Sequence, residues 1–161
     1  MLYPNFVTGM VAFSRMPFYY EVEDVAREFQ AVVALHDVLY YDPEELKRHG
    51  VKFLHAPIPD FSAPSLEQLI KIVEWIDQRV REGRKVLIHC LGGSGRSGTI
   101  ATAYLMTQGL SLSEALAKVR FLKPTAVETE EQLQVLKEFE KYLKTAGMNN
   151  FESNFPPSNL P

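Results

Sequence analysis

Cys90 is the only cysteine among 161 residues, and it stands in Ile88-His89-Cys90-Leu91-Gly92-Gly93-Ser94-Gly95-Arg96-Ser97-Gly98-Thr99. A thiol attacks phosphorus only as thiolate, and helix N-termini, nearby cations and hydrogen-bond donors favour that form. This segment offers all three. Lys85–His89 is apolar and β-branched and reads as a buried strand, whereas Ile100–Gln108 reads as a helix ended by Gly109. A strand, a glycine-rich turn and a helix N-terminus together form an anion site, because unpaired backbone N–H groups point inward. Leu91, Gly92, Gly93, Ser94, Gly95 and Arg96 are therefore the expected phosphate cradle. Gly92, Gly93 and Gly95 are expected to adopt left-handed angles and to let the anion approach closely. Arg96 supplies a planar fork for two oxygens, and the Ser97 hydroxyl can donate to the Cys90 sulfur. A Walker loop is excluded, since it needs Lys before Ser/Thr and a different glycine spacing.

Phosphoryl transfer to a thiolate leaves an oxyanion that needs a proton, so an acid must reach the phosphate from the opposite side. Asp60 lies in His55-Ala56-Pro57-Ile58-Pro59-Asp60-Phe61, between a strand and the longest helix. Prolines stiffen this loop, and Phe61 is expected to lower the local dielectric and keep the carboxyl uncharged. Asp37, in Leu35-His36-Asp37 after another strand, is the alternative donor.

The signature loop resembles that of the cysteine-dependent protein tyrosine and dual-specificity phosphatases, and the chain is similar to their small single-domain members, including the compact archaeal enzymes. The likeness runs from about Met10 to Lys144. It implies a two-step hydrolysis of phosphotyrosine, with phosphoserine and phosphothreonine also possible substrates, through a phosphocysteine. It requires no cofactor. Ile58-Pro59-Asp60 looks like the family's general-acid loop. His89 matches the histidine that braces the signature loop and favours the thiolate. Gln132, in the stretch Arg120–Gln132, matches the glutamine near the attacking water. Lys123 stands where relatives often carry a second arginine, which argues against a second phosphate site there, and Arg120 is expected in an ion pair under the loop. A phosphoinositide or other small-molecule phosphatase of the same superfamily is the main alternative, although such enzymes usually carry lysines inside the loop. A rhodanese-type sulfurtransferase would need no acid like Asp60, and a non-catalytic phosphate-binding module would be expected to lack Cys90, Arg96 or the acid.

The remaining elements must position these groups. One domain is expected over residues 1–147, with a disordered tail over 148–161 that is rich in Asn, Ser and Pro. Phe6–Phe13, Ala31–Leu35, Val51–His55 and Lys85–His89 read as strands. Glu21–Phe29, Glu44–His49, Ser65–Glu82, Ser113–Phe121 and Thr129–Lys144 read as helices, beside Ile100–Gln108. Asp42 with Pro43 starts one helix, and Ser65 with Gln68 forms a capping box on another. Strands alternating with helices predict an α/β fold: a mainly parallel sheet of four to five strands, flanked by helices on both faces. Met16, Pro17, Phe18, Tyr19, Tyr20 and Phe61 are expected to line an open apolar rim. The net charge of −3 argues against nucleic acid or an anionic membrane as partner. A phosphoprotein or phosphopeptide is the expected substrate, and the chain is expected as a monomer. Four scattered histidines show no ligand spacing, so no metal is expected. A lone cysteine and the lack of a signal-peptide pattern in Met1–Phe13 point to a reducing, cytoplasmic setting.

Overall fold

The computed structural model describes residues 1–145. The expected tail lies outside them. Strands β1 (Asn5–Phe6), β2 (Val11–Ser14), β3 (Ala31–Ala34), β4 (Lys52–His55) and β5 (Val86–His89) form one sheet in the order β1-β2-β5-β3-β4. Only β1 is antiparallel; β2, β5, β3 and β4 run parallel. The helices are α1 (Val22–Glu28), α2 (Pro43–Arg48), α3 (Leu66–Arg81), α4 (Gly95–Thr107), α5 (Leu112–Leu122) and α6 (Glu130–Thr145).

Side chains alternate across a strand, and a parallel sheet buried on both faces reads as a continuous apolar run. Val11, Phe13, Val33, Val86 and Ile88 face a core shared with α3, α4, α5 and α6. Ala12, Val32 and Leu87 turn the other way, against Val22 and Val25 of α1 and Leu46 of α2. The expected two-sided α/β fold is the one adopted. The expected caps also form. Asp42 accepts from the Glu44 N–H at 3.0 Å. Ser65 and Gln68 exchange bonds of 3.1 and 3.0 Å. Each such cap stabilises its helix by about 1 kcal/mol.

Three local expectations are corrected. The single strand over Phe6–Phe13 is a hairpin, because the Thr8 hydroxyl accepts from Met10 N and Val11 N and folds the chain back. The helix expected from Glu21 begins at Val22 instead, because Glu21 closes a 3₁₀ turn, Tyr19–Glu21. Most important for the site, α4 begins at Gly95 rather than Ile100. Gly-Arg-Ser-Gly is a poor helix former by propensity, but tertiary packing overrides propensity. Gly98 N donates to Ser94 O at 3.0 Å, and the Thr99 hydroxyl donates to Gly95 O at 2.6 Å. Gly98 also lets the helix lie against Ala126, which an added Cβ would strike at 2.8 Å. Arg96 and Ser97 thus ride on the rigid first turn of a buried helix.

Candidate active site

The parallel strands end on one side of the molecule, where open α/β sheets gather ligands. β5 delivers His89 and Cys90 there. The Cys90 sulfur is buried, 3.2 Å from Ser97 Oγ, and accepts from Gly93 N at 3.3 Å. Were the sulfur a thiolate, only the hydroxyl could donate across the first of these contacts. The loop is pinned to the end of β2, where Met16 N donates to Leu91 O at 3.0 Å. Gly93 has φ +80°, and a Cβ there would collide with the backbone of Ser14 and Arg15. Gly93 is the one loop glycine with a left-handed angle, so that expectation is corrected for Gly92 and Gly95. Gly95 is required for another reason: a Cβ there would collide with Glu128 Oε1 and crowd Gln132 Nε2. Ser94 shares a hydroxyl bond of 2.8 Å with Thr125.

Arg96 is buried and held from several sides. Its Nη1 donates to Ile58 O at 2.8 Å and to His36 Nδ1 at 3.1 Å, and its Nη2 lies 3.3 Å from Asp60 Oδ1. The acid loop therefore closes on the arginine. Asp60 accepts from Phe61 N at 2.9 Å, and its side chain is 46% exposed. Phe61 is 61% exposed and does not cover that carboxyl, which corrects the low-dielectric reading. Asp37 lies off this cluster: its side chain is 76% exposed, and His36 stands between it and Arg96.

Gln132 is wholly buried in the first turn of α6, where it also touches Gly95. Its Oε1 accepts from Glu128 N and Thr129 N at 2.8 and 3.2 Å, and its Nε2 donates to Ser62 O at 3.1 Å. It ties the acid loop to the α5–α6 turn. Phe61 and Val127, one in each of these segments, have φ +63° and +60°. Such angles are strained for non-glycine residues and are held only where the surroundings over-determine them. Arg120 is part of that support, but not as an ion pair: it donates to the carbonyls of Ala126 and Val127 at 3.0 and 2.9 Å.

His89 is fully buried at the strand end, where its Nδ1 donates to Cys90 O at 3.1 Å. Its Nε2 then accepts from the Tyr41 hydroxyl at 2.6 Å. Burial pushes the imidazole down to about 4 and the Tyr41 phenol up. The unfolded chain takes up the histidine proton near pH 6.5, while the folded chain resists it until about pH 4. Stability from this group is complete above about pH 6.5 and falls as pH drops toward 4. Thermal unfolding followed against pH is expected to show this slope in the wild type and to lose it in His89→Asn. Equal slopes in both would contradict the assignment. Glu21 acts in a lower window: its bond to Arg15 brings it down to about 2, so its contribution is lost between roughly pH 4.5 and 2.

Tyr41 and His36 are the site residues that sequence reasoning missed. Tyr41 meets His89 across 48 positions, and no short-range signal marks it. His36 was visible beside Asp37, yet only the fold brings it to Arg96. Of the residues expected to line an apolar rim, some are exposed, whereas Met16 and Pro17 are buried. Phe18, Tyr19, Tyr20 and Phe61 are exposed, with Tyr40 stacked 6.3 Å from Phe18. Met16 accepts from Tyr40 N through its sulfur. Among the described residues no three His, Cys, Asp or Glu side chains converge to hold a metal, and no helix is long and apolar enough to cross a membrane.

A buried thiol in a glycine-rich strand-to-helix loop that also carries an arginine paired with a carboxylate agrees with what known proteins show. Residues 17–110 match the family model described as "Polymorphic toxin system, DSP-PTPase phosphatase". The chain belongs to the DSP-PTPase family, the cysteine-based dual-specificity and tyrosine phosphatases. It is similar to Tk-PTP, solved in its active form, at 58% identity and a TM-score of 0.83, over 86% of this chain and 96% of that one. PTPMT1, at 23% identity and a TM-score of 0.82 over 91% and 99% of the two chains, shares the fold. Dual specificity protein phosphatase Mpk3 of Drosophila melanogaster is 37% identical over 105 residues, 63% of this chain and 26% of Mpk3. The chain thus spans about a quarter of that curated relative.

Proposed function

We propose that this chain hydrolyses phosphotyrosine monoesters in proteins, and phosphoserine or phosphothreonine less readily, through a phosphocysteine intermediate. The observation that carries this reading is one constellation: Cys90 Sγ beside Ser97 Oγ and Gly93 N, with Arg96 and Asp60 paired at 3.3 Å. In the first step the Cys90 thiolate attacks phosphorus in line. Backbone N–H groups from Leu91 to Arg96 and the Arg96 fork hold the equatorial oxygens as their charge grows. The P–O bond to the substrate breaks, and Asp60 transfers its proton to the leaving oxygen. In the second step Asp60, now a base, takes a proton from water, which attacks phosphorus and releases inorganic phosphate and the thiolate. Gln132 acts here by fixing the acid loop, and with it the base that activates this water, through Ser62 O. His89, backed by Tyr41, holds the Cys90 carbonyl. No cofactor enters the cycle, and a monomer in a reducing, cytoplasmic setting suits the lone thiol.

Phosphotyrosine is favoured by the aromatic rim and by the cradle's composition. Leu91–Gly95 holds no lysine, so a neighbouring phosphate would meet no cation from the loop. PTPMT1 has been crystallised with PI(5)P, which makes phosphoinositides the substrate class to test against. Initial rates on phosphotyrosine peptides, phosphoserine peptides and phosphoinositide vesicles are expected to rank in that order. A phosphoinositide turned over faster than every phosphotyrosine peptide would overturn the substrate assignment.

The acid is tested through the leaving group. Asp60→Asn is expected to lower kcat by about 100-fold for alkyl phosphates, within the range for general acids. For p-nitrophenyl phosphate, whose leaving group needs little protonation, the loss is expected to be under about tenfold. Asp37→Asn is expected to keep the wild-type dependence. The reverse pattern would make Asp37 the donor.

A further inference from the structure

We infer that His36 is the positioning residue for the phosphate-gripping arginine, and that it works only as the neutral ring protonated at Nε2. The inference rests on the phosphatase reading above and extends it to a group outside the signature loop.

A guanidinium can only donate, so the 3.1 Å contact from Arg96 Nη1 requires His36 Nδ1 to carry no proton. Nη1 has a second acceptor, Ile58 O, at 2.8 Å. With Nη1 committed to two protein acceptors, the Nε–Nη2 edge is the one to grip an oxyanion bidentately, once Asp60, 3.3 Å from Nη2, shares or yields that donor. Both acceptors are set by the end of β3. Ile58 N donates to Leu35 O at 3.0 Å, and Leu35 N donates to His89 O at 2.9 Å. His55 Nε2 donates to His36 O at 2.7 Å. The fork is thus aimed by the same strand ends that carry Cys90. The His36 ring is only 16% exposed, so no solvent shell competes strongly for its Nδ1.

A proton on Nδ1 would turn this acceptor into a donor and set two cations against each other. Charged groups stand on both sides of the ring. Arg96 from α4 lies 3.1 Å from Nδ1, and Asp37 Oδ1 lies 3.6 Å from Nε2. Asp60 from the β4–α3 loop reaches the far side of Arg96 at 3.3 Å. His55 from β4 holds the backbone of residue 36, and His89 from β5 stays uncharged until about pH 4. The expected consequence is an arginine that loosens its grip on phosphate whenever Nδ1 carries a proton.

The test is sulfate binding by isothermal titration calorimetry in a Cys90→Ser background, between about pH 5 and 8. Sulfate does not titrate in that range, and the background removes the sulfur's own ionisation. At the alkaline end His36→Ala is expected to weaken binding about tenfold, the scale of one hydrogen bond from a charged group. His36→Asn, whose side-chain carbonyl can accept from Nη1, is expected to bind within about threefold of the parent. As pH falls, the parent is expected to lose affinity and His36→Asn to lose much less. In enzymes with Cys90 intact, the Ala variant is expected to raise KM for a phosphotyrosine peptide, and Asn to restore it. Equal sulfate affinity in all three proteins, or parent binding that strengthens with acid through His36, would overturn the inference and leave the phosphatase reading standing. A parent that binds no sulfate, with a wild type that releases no phosphate, would overturn both.

Discussion

Cys90→Ser is expected to abolish turnover while leaving substrate binding close to wild type. The cradle is built from backbone N–H groups and Arg96; of these only Gly93 N donates to the sulfur, and a serine oxygen can accept that bond in its place. A serine hydroxyl at the same place has no base beside it. Its neighbours are Ser97 Oγ and Gly93 N, both suited to donate to an anion rather than to take a proton. The His89 ring faces Cys90 O and Tyr41, so it is not aimed at the nucleophile. A loss of about four orders of magnitude or more in kcat follows, over about 5 kcal/mol of barrier. Calorimetry on the variant with a phosphotyrosine peptide is expected to show binding within a few-fold of the wild-type KM. Activity that survives in the variant and scales with its concentration would remove Cys90 from the mechanism.

Arg96→Lys is expected to cost about 100- to 1000-fold in kcat/KM although the charge is kept. An ammonium is a point donor and cannot replace a fork that grips two oxygens. It also cannot span Ile58 O, His36 Nδ1 and Asp60 Oδ1, which the guanidinium meets at 2.8 to 3.3 Å. The buried acceptors left behind add their own penalty, so the acid loop is expected to loosen as well. Such a loss corresponds to about 3–4 kcal/mol, the scale of removing one oxyanion donor. Steady-state kinetics decide it. A rate within about threefold of wild type, about 0.7 kcal/mol, would make Arg96 structural.

What was readable in the chain was local. Val86–His89 is apolar and β-branched, and the caps Asp42 and Ser65 carry their own partners two or three residues away. Period and capping are short-range properties, and the elements built from them were identified. The start of α4 was not, because Gly95–Gly98 is helical through burial against Ala126 and the α6 turn, not through propensity. The fold of Phe6–Phe13 turned on one hydroxyl, Thr8, that a run of apolar residues conceals. Within the site, Cys90, Arg96 and Ser97 share one loop and helix turn, so their spacing was itself the signal. Asp60 came from a proline-flanked loop and a resemblance. His36 and Tyr41 reach Arg96 and His89 from 60 and 48 positions away, and only the parallel register of β3 and β5 brings them there. Gln132 was found by likeness, but its full burial and its bond to Ser62 O belong to the packing of α6.

The central claim is a covalent phosphocysteine, and a denaturing quench within the first turnover tests it most directly. The enzyme is mixed with a phosphotyrosine peptide, quenched on the millisecond scale, digested and examined by mass spectrometry for phosphate. The account predicts a burst of free tyrosine peptide matched by phosphate on the fragment bearing Cys90, decaying as inorganic phosphate appears. Phosphate on another residue, or turnover at full rate with no adduct at any time, would contradict it.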